Sequence, residues 1–291
     1  MSDQQLSFRL SFLVVAVAPA YLFLSLVAII SRSVSFLGIL ASHGKSYKIS
    51  MQWRCINVPK RYFSHFYVAS IVSFLAFRYA MIDPATRSGR PPWTQLLVLL
   101  HLSRRIYECI RVHKFLQKSQ MHLAGYLLGI GHYVILPVVF LGRSAPHPNR
   151  SWWWLSLFCC CSNGWMQYEQ HIHHNILATM RLGAKDRPAY SLPPNQRWFR
   201  WSLCPHYLAE ILIYASWSIL LTQEKSLPLA KFDWLANTSP SINRLLRTAA
   251  EQRHWYLLLW VATNLTVSAF NNRDWYRQHY PSLTKAALFP L

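Results

Sequence analysis

The sequence predicts an all-α protein, a polytopic membrane bundle of about seven transmembrane helices, and three observations support this fold class. Of 291 residues, 53% are hydrophobic and 15% aromatic, which excludes a disordered chain. Lys and Arg number 30 against 10 Asp and Glu, giving a net charge of +20. A nucleic-acid-binding protein would carry that charge on a water-soluble surface. Here the basic residues lie between long apolar runs, which is typical of a membrane protein with basic loops.

Seven segments approach the ~20 mainly apolar residues that a spanning helix needs. The predicted spans are 11–30, 63–81, 93–110, 123–141, 152–166, 204–221 and 254–270. The first is interpreted as a retained helix and not a signal peptide, because its apolar run is long and its basic flank follows it. The fifth is the weakest prediction, since Ser162-Asn163-Gly164 interrupts a short run. We expect residues 1–291 to form a single integral-membrane domain.

The loop charges predict the orientation of this bundle. With Arg78 left out, one set of alternate loops carries 19 Lys and Arg and the other carries 10. Cytosolic loops are enriched in Lys and Arg. We therefore expect a lumenal N-terminus and a cytosolic C-terminus.

Polar side chains recur at the helix ends that this topology assigns to the cytosolic face. Ionisable groups at membrane depth are costly and are functional candidates by default. Helical spacing places each of three sets on one helix face, the second only if its helix continues. The sets are His101, Arg105 and Glu108; Gln170, His174 and Arg181; and His206, Glu210 and Tyr214. The alternative is that Lys and Arg side chains merely extend from the helix ends to the membrane surface, which is called snorkelling. Snorkelling does not explain why Glu108 and Glu210, two of only ten acids, lie at these helix ends. The pattern favours a polar pocket inside the bundle.

The motifs narrow what such a pocket could bind. Neither a G-x-G-x-x-G fingerprint nor a Walker A loop is present, so soluble dinucleotide-binding folds are disfavoured. His171-Ile172-His173-His174 is a single H-x-H-H run, whereas membrane di-iron enzymes need several histidine boxes, and we expect no metal. The six cysteines form no C-x-x-C pair. A phosphate-rich anionic ligand remains. Its candidate cationic partners are Arg105, Arg181, Lys185, Arg273 and Lys285.

Four ordered motifs together carry a family resemblance. Two are the run from Cys204 to Ile211, preceded by Tyr190-Ser-Leu-Pro and Trp198-Phe, and the tail from Ser268 to Ala286. They resemble the C-terminal region of the steroid 5α-reductase family. The other two, 58–67 (VPKRYFSHFY) and 101–109 (HLSRRIYEC), are similar to its polyprenol reductase branch. The resemblance runs from about residue 52 to the end, and its reductase region covers about 100–291.

The resemblance implies a seven-helix bundle of the endoplasmic reticulum membrane that binds NADPH from the cytosolic side. Carried over position by position, the cofactor-binding residues are Arg105, Glu108, Gln170, His174, Arg181, Tyr190, His206, Glu210 and Tyr276. Steroid reductases have Asn and Asp where this chain has Gln170 and His174, and a histidine where it has Arg273. Their steroid-contacting Tyr is replaced by Leu102, and their steroid-contacting Glu has no carboxylate counterpart. These differences imply a long isoprenoid substrate with a small polar head.

The implied activity is an NADPH-dependent reductase that saturates the α-isoprene double bond of polyprenol on the route to dolichol, in support of N-glycosylation. Hydride adds to a C=C bond only when the resulting carbanion is stabilised, so we expect the conjugated aldehyde, polyprenal, to be reduced. A dehydrogenase partner could interconvert alcohol and aldehyde. The catalytic candidates, at the right depth on helices two and three, are Lys60, His65, Tyr67, His101 and Tyr107, with His65 and Tyr67 favoured.

Some alternatives stay open at the level of sequence. The segment 31–52 could be an interfacial gate for a lipid substrate or a plain connecting helix. Within the same superfamily, a steroid reductase, a trans-2-enoyl-CoA reductase or an isoprenylcysteine methyltransferase is the rival. Outside it, the rival is a non-enzymatic seven-helix protein that binds or transports lipid. The expected partners are a polyprenoid lipid and membrane lipids, without nucleic acid.

Overall fold

Helices dominate the part of the chain that the computed structural model describes, which is residues 3–30, 57–81, 93–115, 119–140, 143–144, 153–182, 191–226 and 239–288. The α-helices are α1 (Asp3–Ile30), α2 (Phe63–Met81), α3 (Trp93–Tyr107), α4 (Leu123–Ile135), α5 (Trp153–Leu182), α6 (Pro205–Gln223), α7 (Pro240–Glu251) and α8 (Arg253–His279). Two short antiparallel pairs join them, β1 (Asn57–Pro59) with β2 (Gln120–His122) and β3 (Arg143–Ser144) with β4 (Lys225–Ser226). The predicted gate at 31–52 lies outside the described residues.

Each predicted span coincides with a long helix in these ranges. A π-helix, Glu108–Val112, extends α3, and a 3-10 helix, Leu136–Phe140, extends α4. Within the described residues, Phe12–Ile30 and Leu123–Phe140 are by themselves long and apolar enough to cross a membrane, with mean hydropathies of 2.6 and 1.8. The helical class therefore agrees with the sequence, whereas the seven-span topology and the orientation stay predictions.

The polar residues Ser162-Asn163-Gly164 interrupt the apolar run of the weakest predicted span, but they do not break the helix. α5 is continuous over 30 residues, and Asn163 inside it is fully buried. Its Nδ2 donates to Ser216 Oγ on α6 at 2.7 Å, and its Oδ1 accepts from Gln167 Nε2 at 2.8 Å. Because a neighbouring helix pairs these groups, their burial costs little. The same continuity carries the helix face predicted for Gln170, His174 and Arg181 through to Leu182.

The main core forms around the 3-10 helix Leu136–Phe140, whose five residues are all buried. α1, α2, α4 and α8 pack against it. The carbonyls of this short helix are paired from two sides: Arg253 Nε donates to Val138 O at 3.2 Å, and Gln95 Nε2 to Phe140 O at 3.1 Å. These bonds satisfy polar groups at the end of the bundle remote from the predicted pocket.

A smaller core closes the opposite end of the bundle, where the C-terminal tail packs on the start of α6. Its buried members are Leu203, Cys204, Ala269, Tyr276, Ala287 and Leu288. The tail is fixed by backbone hydrogen bonds, from Leu203 N to Ala286 O at 3.0 Å and from Ala286 N to Trp201 O at 3.2 Å. At this end Met121 and His122 of β2, and Leu203 and Cys204 before α6, line one cavity.

The helix α7 was not predicted from the sequence. Ser239 caps it, with Oγ accepting from Ile242 N at 3.4 Å, and a proline occupies the first turn, a position where proline is favoured. It packs on α1 and α8. It is short and amphipathic, so the search for ~20-residue apolar runs could not detect it.

Candidate active site

A cavity of about 440 Å³ lies inside the bundle between α2, α3, α4, α5, α6 and α8. Each helix contributes one face. On α4 the lining residues are Gly125, Leu128, Gly129, His132 and Tyr133, which follow the i, i+3, i+4, i+7, i+8 spacing of a single helix stripe. The cavity is polar at the end bordered by β2 and by the start of α6. It becomes apolar towards Trp260, Val261 and Leu265 on α8.

Nine of the residues predicted for the site line this cavity. They are Lys60, Tyr67, Arg105, Gln170, His174, Arg181, His206, Glu210 and Tyr276. They come from the helix ends that the charge pattern had assigned to one side of the membrane. Helical spacing grouped Gln170, His174 and Arg181 on α5 and His206 and Glu210 on α6, because a continuous helix fixes which residues share a face. The other members of the set came from their depth or from the family resemblance.

Two other predicted residues, His65 and Tyr107, lie outside the cavity. His65 is exposed, with its Nδ1 3.0 Å from Tyr126 Oη and its ring stacked on Tyr62. Tyr107 is 54% exposed. Each lies two positions from a cavity residue, Tyr67 or Arg105, and such a step turns a side chain by about 200° around a helix. The favoured pair of His65 and Tyr67 is therefore not brought together.

The remaining predicted residues are Glu108, which lies behind the cavity wall, and Tyr190, which is outside the described residues. The carboxylate of Glu108 is fully buried. One of its oxygens accepts from Arg104 and lies 2.9 Å from His171 Nδ1; the other accepts from Arg105 and lies 2.8 Å from His174 Nδ1. An unpaired buried carboxylate would be prohibitively costly, and two guanidinium groups keep this one ionised. Glu108 thus holds Arg105 and His174 in place and does not itself face a ligand.

Glu210 belongs to the same network through Gln170. The Gln170 amide donates to the Glu210 carboxylate and, at 3.2 Å, to His206 O, while its oxygen accepts from Arg104. The other oxygen of Glu210 lies 3.4 Å from His101 Nε2. The network therefore joins α3, α5 and α6 by polar contacts, and it fixes the polar cavity wall before any ligand binds.

Tyr67 and Arg105 form a second polar contact deeper in the cavity. Arg105 donates to Tyr67 Oη from Nε at 3.1 Å and from Nη2 at 2.8 Å. Tyr133 on α4 also lines the cavity, and its ring meets that of Tyr67 edge-on, with the ring centroids 4.9 Å apart. Sequence reasoning missed Tyr133. The available signal was the polar side chain of its neighbour His132 inside an otherwise apolar span.

Three histidines that line the cavity hold a buried ring nitrogen that has no hydrogen-bond partner in the described ranges. These atoms are His113 Nε2, His132 Nδ1 and His206 Nδ1. Buried polar atoms are nearly always paired in native proteins. The unpaired nitrogens therefore indicate places where a ligand would complete the hydrogen bonding.

Two cations border the polar end of the cavity, Lys60 and Arg181. The β1–β2 pair positions Lys60, whose backbone N donates to Ser119 O at 3.0 Å. Arg181 Nη1 donates to Lys114 O at 3.1 Å. Burial, together with the charge of Arg181, lowers the pKa of Lys60 to about 8. These two cations repel one another and have lost part of their hydration. A bound anion would offset both the repulsion and the lost hydration, so the pair is suited to binding an anion.

Glu108, His113 and His174 present possible metal-ligand atoms within 4.8 Å of one another. The Glu108 carboxylate already accepts from the guanidinium groups of Arg104 and Arg105. Two cations in contact with the only acidic ligand oppose the binding of a dication. The electrostatics therefore favour an anionic ligand over a metal ion, and the expectation of no metal stays a prediction.

Comparisons with known proteins find polyprenal reductases from fungi, plants and animals as relatives of this chain. The chain is 31% identical over 229 residues to a polyprenal reductase of Saccharomyces cerevisiae. The aligned region covers 77% of this chain and 70% of the relative. It is 24% identical over 287 residues to polyprenal reductase 1 of Arabidopsis thaliana, covering 80% and 81%. It is 27% identical over 206 residues to the polyprenal reductase of Homo sapiens, covering 57% and 64%. No family model matches the chain.

Proposed function

Because the chain belongs to the steroid 5α-reductase family, within its polyprenal reductases, we propose that it reduces polyprenal on the route to dolichol. The reaction saturates the C=C bond conjugated to the aldehyde of a long isoprenoid chain. One observation carries this proposal: a single cavity joins a cationic, hydrogen-bonding end to an apolar end inside a hydrophobic bundle. The polar end suits the anionic part of a cofactor, and the apolar end suits a lipid.

The polar end fits NADPH, the nicotinamide cofactor that we propose. Lys60 and Arg181 would bind its phosphates, since charge-assisted contacts to phosphate are the strong ones. The unpaired His206 Nδ1 and the buried Tyr276 ring, whose Oη donates to Ser191 O at 3.3 Å, would complete the pocket with Gln170, His174 and Glu210. When bound, the cofactor supplies the hydride. Arg105 has a different task, because its guanidinium is already engaged with Tyr67 and Glu108.

The apolar end fits the first isoprene units of the substrate. Phe66, Leu128, Trp260, Val261 and Leu265 line it, and these side chains gain from burying hydrocarbon. A long tail exceeds the cavity, so the rest of the chain would leave between helices into the bilayer. The small residue Gly129 lets Phe66 approach α4 closely, because a Cβ at this position would lie 2.7 Å from the Phe66 ring.

The chemistry explains why the aldehyde is the proposed substrate. When hydride adds to the β-carbon, the electrons of the C=C bond move towards the aldehyde oxygen and form an enolate. A hydrogen-bond donor at that oxygen stabilises the developing charge, and a proton then reaches the α-carbon. An allylic alcohol has no such electron acceptor. We therefore propose that a separate dehydrogenase supplies the aldehyde from polyprenol.

The cellular setting is part of the same proposal. An apolar bundle with basic loops on one side fits an endoplasmic reticulum membrane protein whose cofactor enters from the cytosol. The product would feed dolichol-linked N-glycosylation. The rival substrates, a steroid enone and a trans-2-enoyl-CoA thioester, are also conjugated carbonyl compounds, so direct competition separates them from polyprenal.

The test uses the purified full chain in lipid nanodiscs, with NADPH or NADH and either polyprenal or polyprenol. We expect one NADPH oxidised for each polyprenal saturated, and no reaction of polyprenol on its own. Equal turnover of polyprenol would refute the aldehyde hypothesis. A preference for the steroid or the thioester would refute the substrate. The absence of both NADPH oxidation and NADPH-dependent thermal stabilisation would refute the enzyme assignment and favour a lipid-binding protein.

A further inference from the structure

We propose that the ion pair between Glu169 on α5 and Arg197 is a latch, which holds the segment 191–204 against the polar end of the cavity and sets how long NADPH stays bound. This inference rests on the proposed function and adds two positioning residues to it. Neither residue lines the cavity, so both act through the segment that they hold. The proposal depends on the contacts that close the segment and on two features that oppose its closed position.

The segment 191–204 leads into α6 and borders the cavity at both of its ends. Ser191 lines the cavity at the start of the segment, and Leu203 and Cys204 line it at the finish. The carbonyl of Ser191 also accepts a hydrogen bond from Tyr276 Oη at 3.3 Å, and Tyr276 is among the residues proposed for the NADPH pocket. The position of this segment therefore determines the shape of the polar end of the cavity.

The middle of the segment is attached to α5 by a bidentate ion pair. Arg197 donates from Nε to Glu169 Oε2 at 3.2 Å, and from Nη2 to Glu169 Oε1. The Glu169 side chain is 1% exposed, whereas that of Arg197 is 38% exposed. Paired contacts between a guanidinium and a carboxylate are among the strong hydrogen bonds, and a buried carboxylate is costly without such a partner. Since Glu169 directly precedes Gln170 of the cavity wall, the pair ties the segment to the helix that carries the pocket.

Two features of the closed position are unfavourable. Arg197 has a φ of 49°, in the left-handed region that is strained for a residue with a Cβ and persists only where other contacts enforce it. His173 on α5 is fully buried against the rings of Trp198 and Phe199. Neither of its ring nitrogens has a hydrogen-bond partner in the described part of the chain, and Nε2 lies 3.8 Å from Glu169 Oε2. Opening of the segment would relieve the strain and let water reach the imidazole.

These opposing contributions suit a segment that opens once in each catalytic cycle. The oxidised cofactor has to leave and NADPH has to enter between turnovers, whereas hydride transfer needs a closed site that excludes water. The strain and the unpaired imidazole lower the cost of opening, and the ion pair makes the closed position the favoured one. Removing the ion pair should therefore shorten the residence time of the cofactor and leave the hydride-transfer step unchanged.

The experiment measures NADPH dissociation from the full chain in lipid nanodiscs, by following NADPH fluorescence after an excess of NADP⁺ is added. Glu169→Gln keeps the size of the buried side chain and removes its charge. Arg197→Asn removes the guanidinium, and Asn tolerates the left-handed backbone. The matched control is Arg200→Asn, because Arg200 is exposed on the same 3-10 helix and its guanidinium lies over the Trp201 ring. Hydride transfer to polyprenal is measured separately in a single turnover.

We expect each latch variant to raise the dissociation rate of NADPH about tenfold, which is the order expected for losing one charge-assisted hydrogen-bonded pair. The KM for NADPH should rise with it, while the single-turnover rate of hydride transfer stays at the wild-type value. The double variant should match the single ones, since the second change removes nothing that is still formed. Arg197→Lys keeps the charge and should recover part of the long residence time. Arg200→Asn should match the unmodified chain.

Several outcomes would overturn the proposal. An unchanged dissociation rate in folded Glu169→Gln and Arg197→Asn would do so, as would increases that multiply in the double variant or a loss confined to the hydride-transfer rate. If Glu169→Gln does not fold, the comparison of Arg197→Asn with Arg197→Lys and Arg200→Asn decides, and equal dissociation rates in all three refute the latch. Failure of the unmodified chain to bind NADPH refutes the proposed function instead, so the two failures are distinguishable.

Discussion

Replacing Glu108 by Gln should destabilise the bundle strongly, because it removes the negative charge between two buried cations. The side chains of Arg104 and Arg105 are only 15% and 12% exposed, and Glu108 is fully buried. Removing one partner of a buried ion pair costs about 3–5 kcal/mol, mostly because the remaining charge is left uncompensated. At roughly 2 °C per kcal/mol for a chain of this size, Tm should fall by about 6–10 °C.

The assay is thermal unfolding of the purified variants in detergent, followed by size-exclusion chromatography of the surviving folded fraction. Glu251→Gln is the matched control, since Glu251 lies exposed at the end of α7. We expect its Tm to stay within about 1 °C of wild type, because surface substitutions are usually within 0.5 kcal/mol. Loss of NADPH-dependent stabilisation in Glu108→Gln should accompany the fall, because Arg105 and His174 lose their fixed positions.

A double-mutant cycle tests the physical reason. In the Glu108→Gln background, Arg104→Gln removes one of two cations that now repel each other, so it should restore part of the lost Tm. In the wild-type background the same Arg104→Gln should lower Tm, since it removes a partner of the buried carboxylate. A Glu108→Gln variant with a wild-type Tm would refute the reasoning, and so would additive losses in the cycle.

Three further predictions concern other parts of the molecule. Gly129→Ala should lower stability by about 1–3 kcal/mol, because the new Cβ meets the Phe66 ring; thermal unfolding measures this, and Phe66→Leu should relieve it. Asn163→Ala should cost about 1–3 kcal/mol by leaving the Gln167 amide unpaired, and an unchanged Tm would contradict the role of Asn163 in joining α5 to α6. Lys60, with a pKa of about 8, is charged below that pH and neutral above it. The KM for NADPH should therefore rise as the pH passes 8, whereas Lys60→Arg should give a flat profile.

Helical spacing identified the cavity face of α5 and of α6, but on α3 only Arg105 of the predicted set His101, Arg105 and Glu108 lines the cavity. His206, Glu210 and Tyr214 were grouped on one face from their spacing alone, and all three line the cavity. The same argument worked for the face of α5 on the condition that the helix continued, which it does. The α-helical period is fixed by backbone geometry, so residues that share a face can be read without knowing what they face.

Contacts between helices were harder to predict from the sequence. The pairing of Glu108 with His171, and of Tyr67 with Tyr133, depends on how α3 packs on α5 and α2 on α4. Crossing angles and helix rotations vary widely at a given spacing, so several partners were compatible with each residue. The burial of Asn163 could not be predicted for the same reason, since the partner that satisfies it is on another helix.

The scarcity of acids gains a physical meaning from these contacts. In the half of the bundle that holds the cavity, Glu108, Glu169 and Glu210 each contact basic or histidine side chains: Glu108 binds two arginines, Glu169 binds Arg197, and Glu210 lies beside His101. Glu108 and Glu169 therefore fix neighbours and do not line the cavity, whereas Glu210 lines it and also holds Gln170. Since the chain has three times as many Lys and Arg as acids, cations remain at the polar end of the cavity. The excess of Lys and Arg over acids therefore has two consequences. It makes the loops basic, and it leaves a positive charge in the cavity that favours an anionic ligand.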